Sequence, residues 1–230
     1  MKPQPTQTPG LYAAKDWFSR VLNPVVRVAV RFKLSADLFT FVGMAGAVLA
    51  AWGIVILDPA LTLLGLVIRL AGANLDGSVA RARDLKNPLG FFANELGDRI
   101  SDFTVMLAFV LVAMFTLNEW AVNLTLLAAV TASFPTVVSL LGYRAQKRAG
   151  LSQPARINGG PFGKTERCAA AFLAVLGYRV AVPFSDAALV VTLWVFASLV
   201  ILGSLLTAWM RAKQIFAILR SAAAIGEDAR

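Results

Sequence analysis

The sequence predicts an all-α integral membrane protein with six transmembrane helices preceded by an N-terminal interfacial amphipathic helix. Three observations predict it. Of the 230 residues, 58% are hydrophobic and 15% are charged, where a soluble domain carries about 25% charged residues. Six apolar segments approach or exceed the roughly 20 residues that cross a bilayer. The basic residues gather in alternate connections between those segments rather than being spread along the chain.

In chain order, MKPQPTQTPG is a polar, Pro-rich tail with no apolar core or cleavage site of a signal peptide after it. Residues 11–33, LYAAKDWFSRVLNPVVRVAVRFK, interleave apolar and basic side chains. This pattern fits a helix lying on the membrane, or a basic anchor ahead of the first span, with Pro24 as a bend. The spans are placed at about 37–57, 60–80, 100–118, 120–142, 165–183 and 186–210. Ser35 or Asp37 can cap the first of them, and Gly43, Gly46, Ala47, Ala50 and Ala51 permit close helix packing within it. The domain plan is a tail and interfacial helix at 1–34, a six-helix domain at 35–222 and a frayed tail at 223–230.

The connections orient the bundle. Lys15, Arg20, Arg27, Arg31 and Lys33 precede span one, and Arg81, Arg83 and Lys86 lie between spans two and three. Arg144, Lys147, Arg148, Arg156 and Lys164 lie between spans four and five, and Arg211, Lys213 and Arg220 follow the last. The opposite turns hold Asp58, Glu119, Arg179 and Asp186. The positive-inside rule then puts both termini in the cytoplasm, in agreement with an even number of spans. The net charge of +9 sits beside apolar runs, where anionic headgroups meet it, so nucleic acid is not the expected partner. Trp17, Trp52, Trp120, Trp194 and Trp209 lie mostly near span ends, as belt anchors do.

The chain has no histidine and a single cysteine, Cys168. That removes histidine-based catalysis, disulfide frameworks and Cys/His zinc sites. Chemistry must rest on carboxylates, Lys, Arg, hydroxyls or a metal held by oxygen, which suits Mg²⁺, Mn²⁺ or Ca²⁺.

Such groups crowd into ANLDGSVARARDLKNPLGFFANELGDRISD, Ala73 to Asp102. On a helix through span two, Arg69, Ala73, Asp76 and Ala80 share a face, and Asn87-Pro88 breaks and restarts the chain. On the next helix Asn94, Asp98 and Asp102 recur every four residues, with Glu95 three before Asp98. Two antiparallel helices therefore aim carboxylates at one another. A carboxylate in hydrocarbon costs about 2.5–3.5 kcal/mol, so water, basic partners or a bound cation must compensate. A solvated loop accounts for Arg83, Asp84 and Lys86. It does not account for Asp98 and Asp102, which lead directly into FTVMLAFVLVAMFTLN. Arg69 is read as a structural partner for a carboxylate on span three, and Arg99 as pointing away from Asp98.

The spacing Asp76-Gly77-x-x-Ala80-Arg81, eight residues, Gly90-x-x-x-Asn94-x-x-x-Asp98 resembles the signature of the CDP-alcohol phosphatidyltransferase family. The segment NELGDRISD resembles a divergent bacterial branch carrying Asn-Glu-x-Gly-Asp. Ala73 and Asn94 stand where the family has its first and third aspartates. The resemblance implies a dimeric enzyme of phospholipid synthesis in the bacterial inner membrane, with a cytoplasmic active site dependent on Mg²⁺ or Mn²⁺. It implies a CDP-diacylglycerol or CDP-alcohol donor, an alcohol acceptor and release of CMP. On that reading Asp98 is the general base and Asp76, Gly77, Arg81 and Thr40 hold the nucleotide. Asp76 and Asp98 bind metal, with Asn94, Glu95 or Asp102 as further ligands. Asp37 stands where the family usually has the Asn that accompanies Thr40. Gly77 gives close backbone access, and Arg81, one turn beyond Asp76, can reach a phosphate.

GGPFGKTER, Gly159 to Arg167, is not a P-loop: the glycine spacing fails at Asn158 and no strand precedes it. It reads as a loop and helix start whose Lys164 and Arg167 meet an acceptor or headgroup phosphate, or serve as a positive-inside anchor. Besides the enzyme, two readings remain: a catalytically silent relative that binds nucleotide lipid or supports a partner enzyme, and a small transporter, against which the absence of repeats counts.

Overall fold

The computed structural model describes residues 15–84, 88–151 and 153–228. The tail to residue 14, Leu85, Lys86 and Asn87 of the predicted turn, Ser152 and the last two residues lie outside the described residues, as do the side chains of Lys15, Asp16, Pro88, Phe91 and those beyond Ala222. The described residues form eight helices and no strand: α1 Lys15–Arg31, α2 Ala36–Val55, α3 Pro59–Ala82, α4 Pro88–Phe115, α5 Glu119–Thr131, α6 Phe134–Arg148, α7 Lys164–Ala181 and α8 Ala188–Asp228.

The interleaved segment is a helix, α1, which continues through Pro24. It lays Leu22, Val26 and the buried Ala29 against Phe39, Leu75 and Val79 of α2 and α3. Trp17, Val21, Val25 and Val28 remain exposed. Ser35 is the cap of α2: its hydroxyl accepts from the Leu38 N–H at 3.3 Å. Asp58 caps α3 in the same way, at 2.8 Å from the Leu61 N–H, and Pro59 fills the first turn, where no N–H is needed.

Small residues let α2 and α3 touch backbone to backbone. A Cβ on Gly65 would stand 2.2 Å from the Ala50 nitrogen, and one on Gly72 would stand 2.5 Å from the Gly43 nitrogen. Without a hydrophobic drive between helices in lipid, this close approach supplies the packing. It also holds Arg69 and Asp76, two turns apart on α3, in fixed positions.

Two expected spans differ in detail. The fourth, 120–142, is divided: α5 ends at Thr131 and α6 begins at Phe134. Pro135 has no N–H to continue the ladder, and the Thr136 and Val137 N–H groups both bond the Ser133 carbonyl in a tightened turn. The sixth, 186–210, is part of a longer helix, α8, which runs on to Asp228.

Among the described residues four helical stretches are long and apolar enough to cross a membrane: Ala36–Val55, Pro59–Ala82, Glu119–Arg148 and Ala188–Ala222. α4 and α7 fall outside this set because each carries a charged first half: Glu95, Asp98, Arg99 and Asp102 on α4, and Lys164, Glu166 and Arg167 on α7. The interior packs Phe109 of α4 against Phe196 of α8, ring centroids 3.8 Å apart. Large apolar side chains such as Leu64, Leu111, Leu173 and Leu202 face outward, as they do in a protein whose solvent is lipid.

Candidate active site

The charged halves of α4 and α7 meet the C-terminal half of α3 beside a cavity of about 440 Å³. Ala73, Glu95, Asp98, Asp102, Lys164 and Arg167 line it, with Trp17 of α1 at its edge. α4 and α7 thus bring Glu95, Asp98, Asp102, Lys164 and Arg167 to one cavity, whereas Thr40, Asp76, Gly77, Arg81 and Asn94 are not among its lining residues.

Asp76 is 3% exposed. It accepts from its neighbour's Gly77 N–H, and the Thr40 hydroxyl of α2 donates to its Oδ2 at 3.3 Å. Thr40 therefore holds Asp76 in place, whatever else it touches. Asp98 and Lys164 both lie close enough to Asp76 to act on its charge. Arg81 is exposed and donates to the Ser78 hydroxyl at 3.2 Å. Its guanidinium lies over Gly77, where a Cβ would come within 3.1 Å of it.

α4 and α7 meet rung by rung. Lys164 donates to Asp98 Oδ1, and one turn on Arg167 donates to Asp102 Oδ2 at 3.0 Å. The rungs advance together along both helices, so α4 and α7 run in the same direction. Asp102 also pairs with Arg69 of α3, the structural role expected for that arginine. Arg69 in turn donates to Cys168 Sγ at 2.7 Å.

Glu95 is held by arginines. Arg156 grips it with two bonds, at 2.7 and 2.8 Å, and Arg99 adds a third contact while donating to the Thr136 hydroxyl at 2.9 Å. Arg99 does point away from Asp98. The Arg156 fork, and then Arg99, lower the Glu95 carboxyl from 4.5 to about 2 despite its partial burial. The folded value is the lower one, so this pair's stabilisation is complete above about pH 4.5 and is lost as pH falls towards 2. Thermal unfolding in detergent between pH 5 and 2 should therefore show an acid slope that is shallower in Glu95→Gln. An unchanged slope would mean that the fork contributes nothing to stability.

The four carboxylates named as metal ligands are thus not gathered into one cluster. Glu95 and Asp102 carry arginine pairs, Asp98 carries Lys164, and Asp76 is held by neutral donors. Among the described residues no three Asp, Glu, Cys or His side chains converge on one point.

Sequence reasoning missed two arginines as site-building residues. Arg156 was counted only as a loop charge. Arg211 was also counted so, yet it is 7% exposed and binds the carbonyls of Pro135, Asn158 and Gly159. It ties the segment before α7 to the α5–α6 break. Ser139 of α6 accepts from Arg211 at 3.0 Å and donates to the Ile157 carbonyl. These contacts span dozens of residues, and no local spacing announces them.

No family model matches the chain. It is 31% identical over 161 residues to the inner membrane protein YnbA of Escherichia coli strain K12, an alignment covering 68% of this chain and 74% of YnbA. Its fold resembles that of Mycobacterium tuberculosis phosphatidylinositol phosphate synthase, PgsA1, solved with CDP-DAG bound. The TM-score is 0.61 at 24% identity, over 86% of this chain and 94% of that one. The same enzyme in complex with manganese and citrate gives a TM-score of 0.58 at 24% identity, over 84% of this chain and 88% of that one. With 31% identity over most of both chains, the chain belongs to the same family as the inner membrane protein YnbA, and it shares the all-helical fold of PgsA1.

Proposed function

We propose that the chain is an inner-membrane transferase of phospholipid synthesis that moves a phosphatidyl or phospho-alcohol group from a CDP-linked donor to an acceptor hydroxyl. The observation that carries this reading is the placement of Asp76 and Asp98, from facing helices, within electrostatic range of each other at the polar end of the bundle. Support comes from the neighbours, one solved with CDP-DAG and one with manganese.

The donor chemistry here fits one divalent ion. Asp76 and Asp98 offer carboxylate oxygens and Asn94 an amide oxygen. Mg²⁺ is commonly held by one or two carboxylates with substrate phosphates and waters completing its shell; Mn²⁺ takes the same donors. When bound, the ion neutralises the donor pyrophosphate and polarises the phosphorus. Arg81 reaches a phosphate oxygen from beside Gly77. Asp98 takes the proton of the acceptor hydroxyl. The acceptor oxygen bonds to the β-phosphorus as the bond from that phosphorus to the CMP oxygen breaks, and CMP leaves. Lys164 and Arg167 on the cavity wall offer positive charge to a phosphate, of the donor or of a phosphorylated acceptor. Glu95 and Asp102 hold the arginines that shape that wall.

The same reading completes the topology. α4 and α7 run in one direction with the α5–α6 stretch between them. That stretch then makes one crossing, α4 and α7 make two more, and six spans follow, with both termini and the site on the cytoplasmic face where the basic connections lie. α1 lies on that face at the mouth of the cavity, and the chain works as a homodimer.

Ala73 and Asn94, in place of two acidic residues, favour a second reading: a silent relative that binds nucleotide lipid. One assay separates the two. Purified chain in detergent receives CDP-diacylglycerol or a CDP-alcohol, Mg²⁺ or Mn²⁺ and a panel of acceptors, and CMP is measured. Release that needs both metal and acceptor is the expected result. Donor binding without CMP release from any combination would establish the silent relative.

A further inference from the structure

The charged end of the bundle is already supplied with positive charge. Four carboxylates, Asp76, Glu95, Asp98 and Asp102, stand among five cations, Arg69, Arg99, Arg156, Lys164 and Arg167. Glu95 and Asp102 each have two guanidiniums, and the Arg156 fork is bidentate. Such forks are pre-organised and hard to displace. Asp98 differs. Its partner is a single ammonium on a flexible four-carbon stem, which is easier to turn aside. Lys164 is 26% exposed, lines the cavity, and acts on Asp76 as well as Asp98.

Resting on the one-ion reading above, we propose that Lys164 is a built-in counter-cation of this site: a divalent ion enters at Asp76 and Asp98 only by displacing the Lys164 ammonium, which then turns to the phosphate of the incoming ligand. The physical reason is competition. A doubly charged ion and an ammonium repel each other and want the same carboxylate, so one excludes the other. Removing Lys164 must then help the metal and harm the phosphate ligand. A plain helix anchor would do neither, and a residue that merely binds phosphate would leave metal affinity in the absence of ligand unchanged.

The test measures binding, with the full chain in detergent micelles. Mn²⁺ alone is titrated by electron paramagnetic resonance into wild type, Lys164→Met, Asp98→Asn and the double variant. Lys164→Met should bind Mn²⁺ tighter by about tenfold, within the 5- to 150-fold range of coupled sites. That gain should vanish in the Asp98→Asn background. With Mn²⁺ saturating, Lys164→Met should bind CDP-diacylglycerol more weakly than wild type. Unchanged or weaker Mn²⁺ affinity in Lys164→Met overturns the proposal, as does a gain that survives Asp98→Asn, or the absence of Mn²⁺ binding altogether. Should Lys164→Met not fold, the wild-type chain decides: amine labelling of Lys164, read by mass spectrometry, should rise with Mn²⁺ and fall again when the donor is added. No rise overturns the proposal. Metal coupling without CMP release would sink the transferase reading and leave this inference standing. CMP release with no effect of Lys164 on Mn²⁺ would do the reverse.

Discussion

Asp98→Asn is expected to lower CMP release by about 10²- to 10⁴-fold, the contribution of a positioned general base, while the chain keeps its fold. The substitution is isosteric, and Asp98 is 32% exposed beside the cavity, so no buried charge is stranded by it: the freed Lys164 ammonium can still reach water. The loss should therefore fall on kcat and, because Asp98 is also one of the two carboxylates offered to the ion, on metal-dependent donor binding, with thermal stability changed far less. Asp76→Asn is expected to behave differently. Asp76 is 3% exposed and accepts from Thr40 and the Gly77 N–H, so an amide nitrogen facing those donors leaves polar groups unpaired. Both activity and thermal stability should fall. The pair of results is diagnostic. If Asp98→Asn retained wild-type CMP release with the acceptor that works best, the base would lie elsewhere, and the catalytic reading of the α4 carboxylates would fail with it.

Much of this arrangement was legible in the sequence, for physical reasons that differ from element to element. The start of α2 was readable because a Ser ahead of an apolar run is a local cap. α3 was readable from its apolar length alone, which put its start near residue 60; the Asp58 cap and Pro59 at its first turn fix that start in the structure. Arg69 was readable as a partner for α4 because a cation in the middle of a lipid-length helix has to find an anion. Asp98 and Asp102 were readable as inward-facing because they precede an apolar run at helical spacing. The α5–α6 break was signalled by Pro135 but overridden by an unbroken hydropathy profile, since apolar length reports a crossing and not the state of each backbone bond. Arg156 and Arg211 were not readable at all. Their partners, Glu95 and the Pro135, Asn158 and Gly159 carbonyls, are fixed by the way α4, α6 and α8 pack, and a basic residue near a span end already has a sufficient local explanation. The consequence for the site is concrete: Glu95 looks like a metal ligand in one dimension and is an arginine anchor in three.

The same distinction gives the largest stability effect. Asp102→Asn is expected to destabilise the chain by about 3–5 kcal/mol, the cost of breaking a buried ion pair by removing one partner. Asp102 is 16% exposed and stands between Arg69 and Arg167, whose side chains are 3% and 7% exposed. Losing the carboxylate leaves two adjacent guanidiniums repelling each other, and among the described residues Arg69 keeps Cys168 Sγ as a side-chain partner. Glu95→Gln should cost less, because Arg156 and Arg99 are 24% and 35% exposed and can turn towards water. The measurement is thermal unfolding of both variants in the same detergent. A third variant separates pairing from packing: replacing Arg69, Asp102 and Arg167 together by Met, Leu and Met removes every charge while roughly keeping volume. Such replacements of a buried network are often neutral or stabilising, so the triple variant should recover most of the stability lost in Asp102→Asn. If it is no more stable than the single variant, the network matters for shape rather than charge balance, and the view of this end of the bundle as a set of mutually compensated ions would have to be given up.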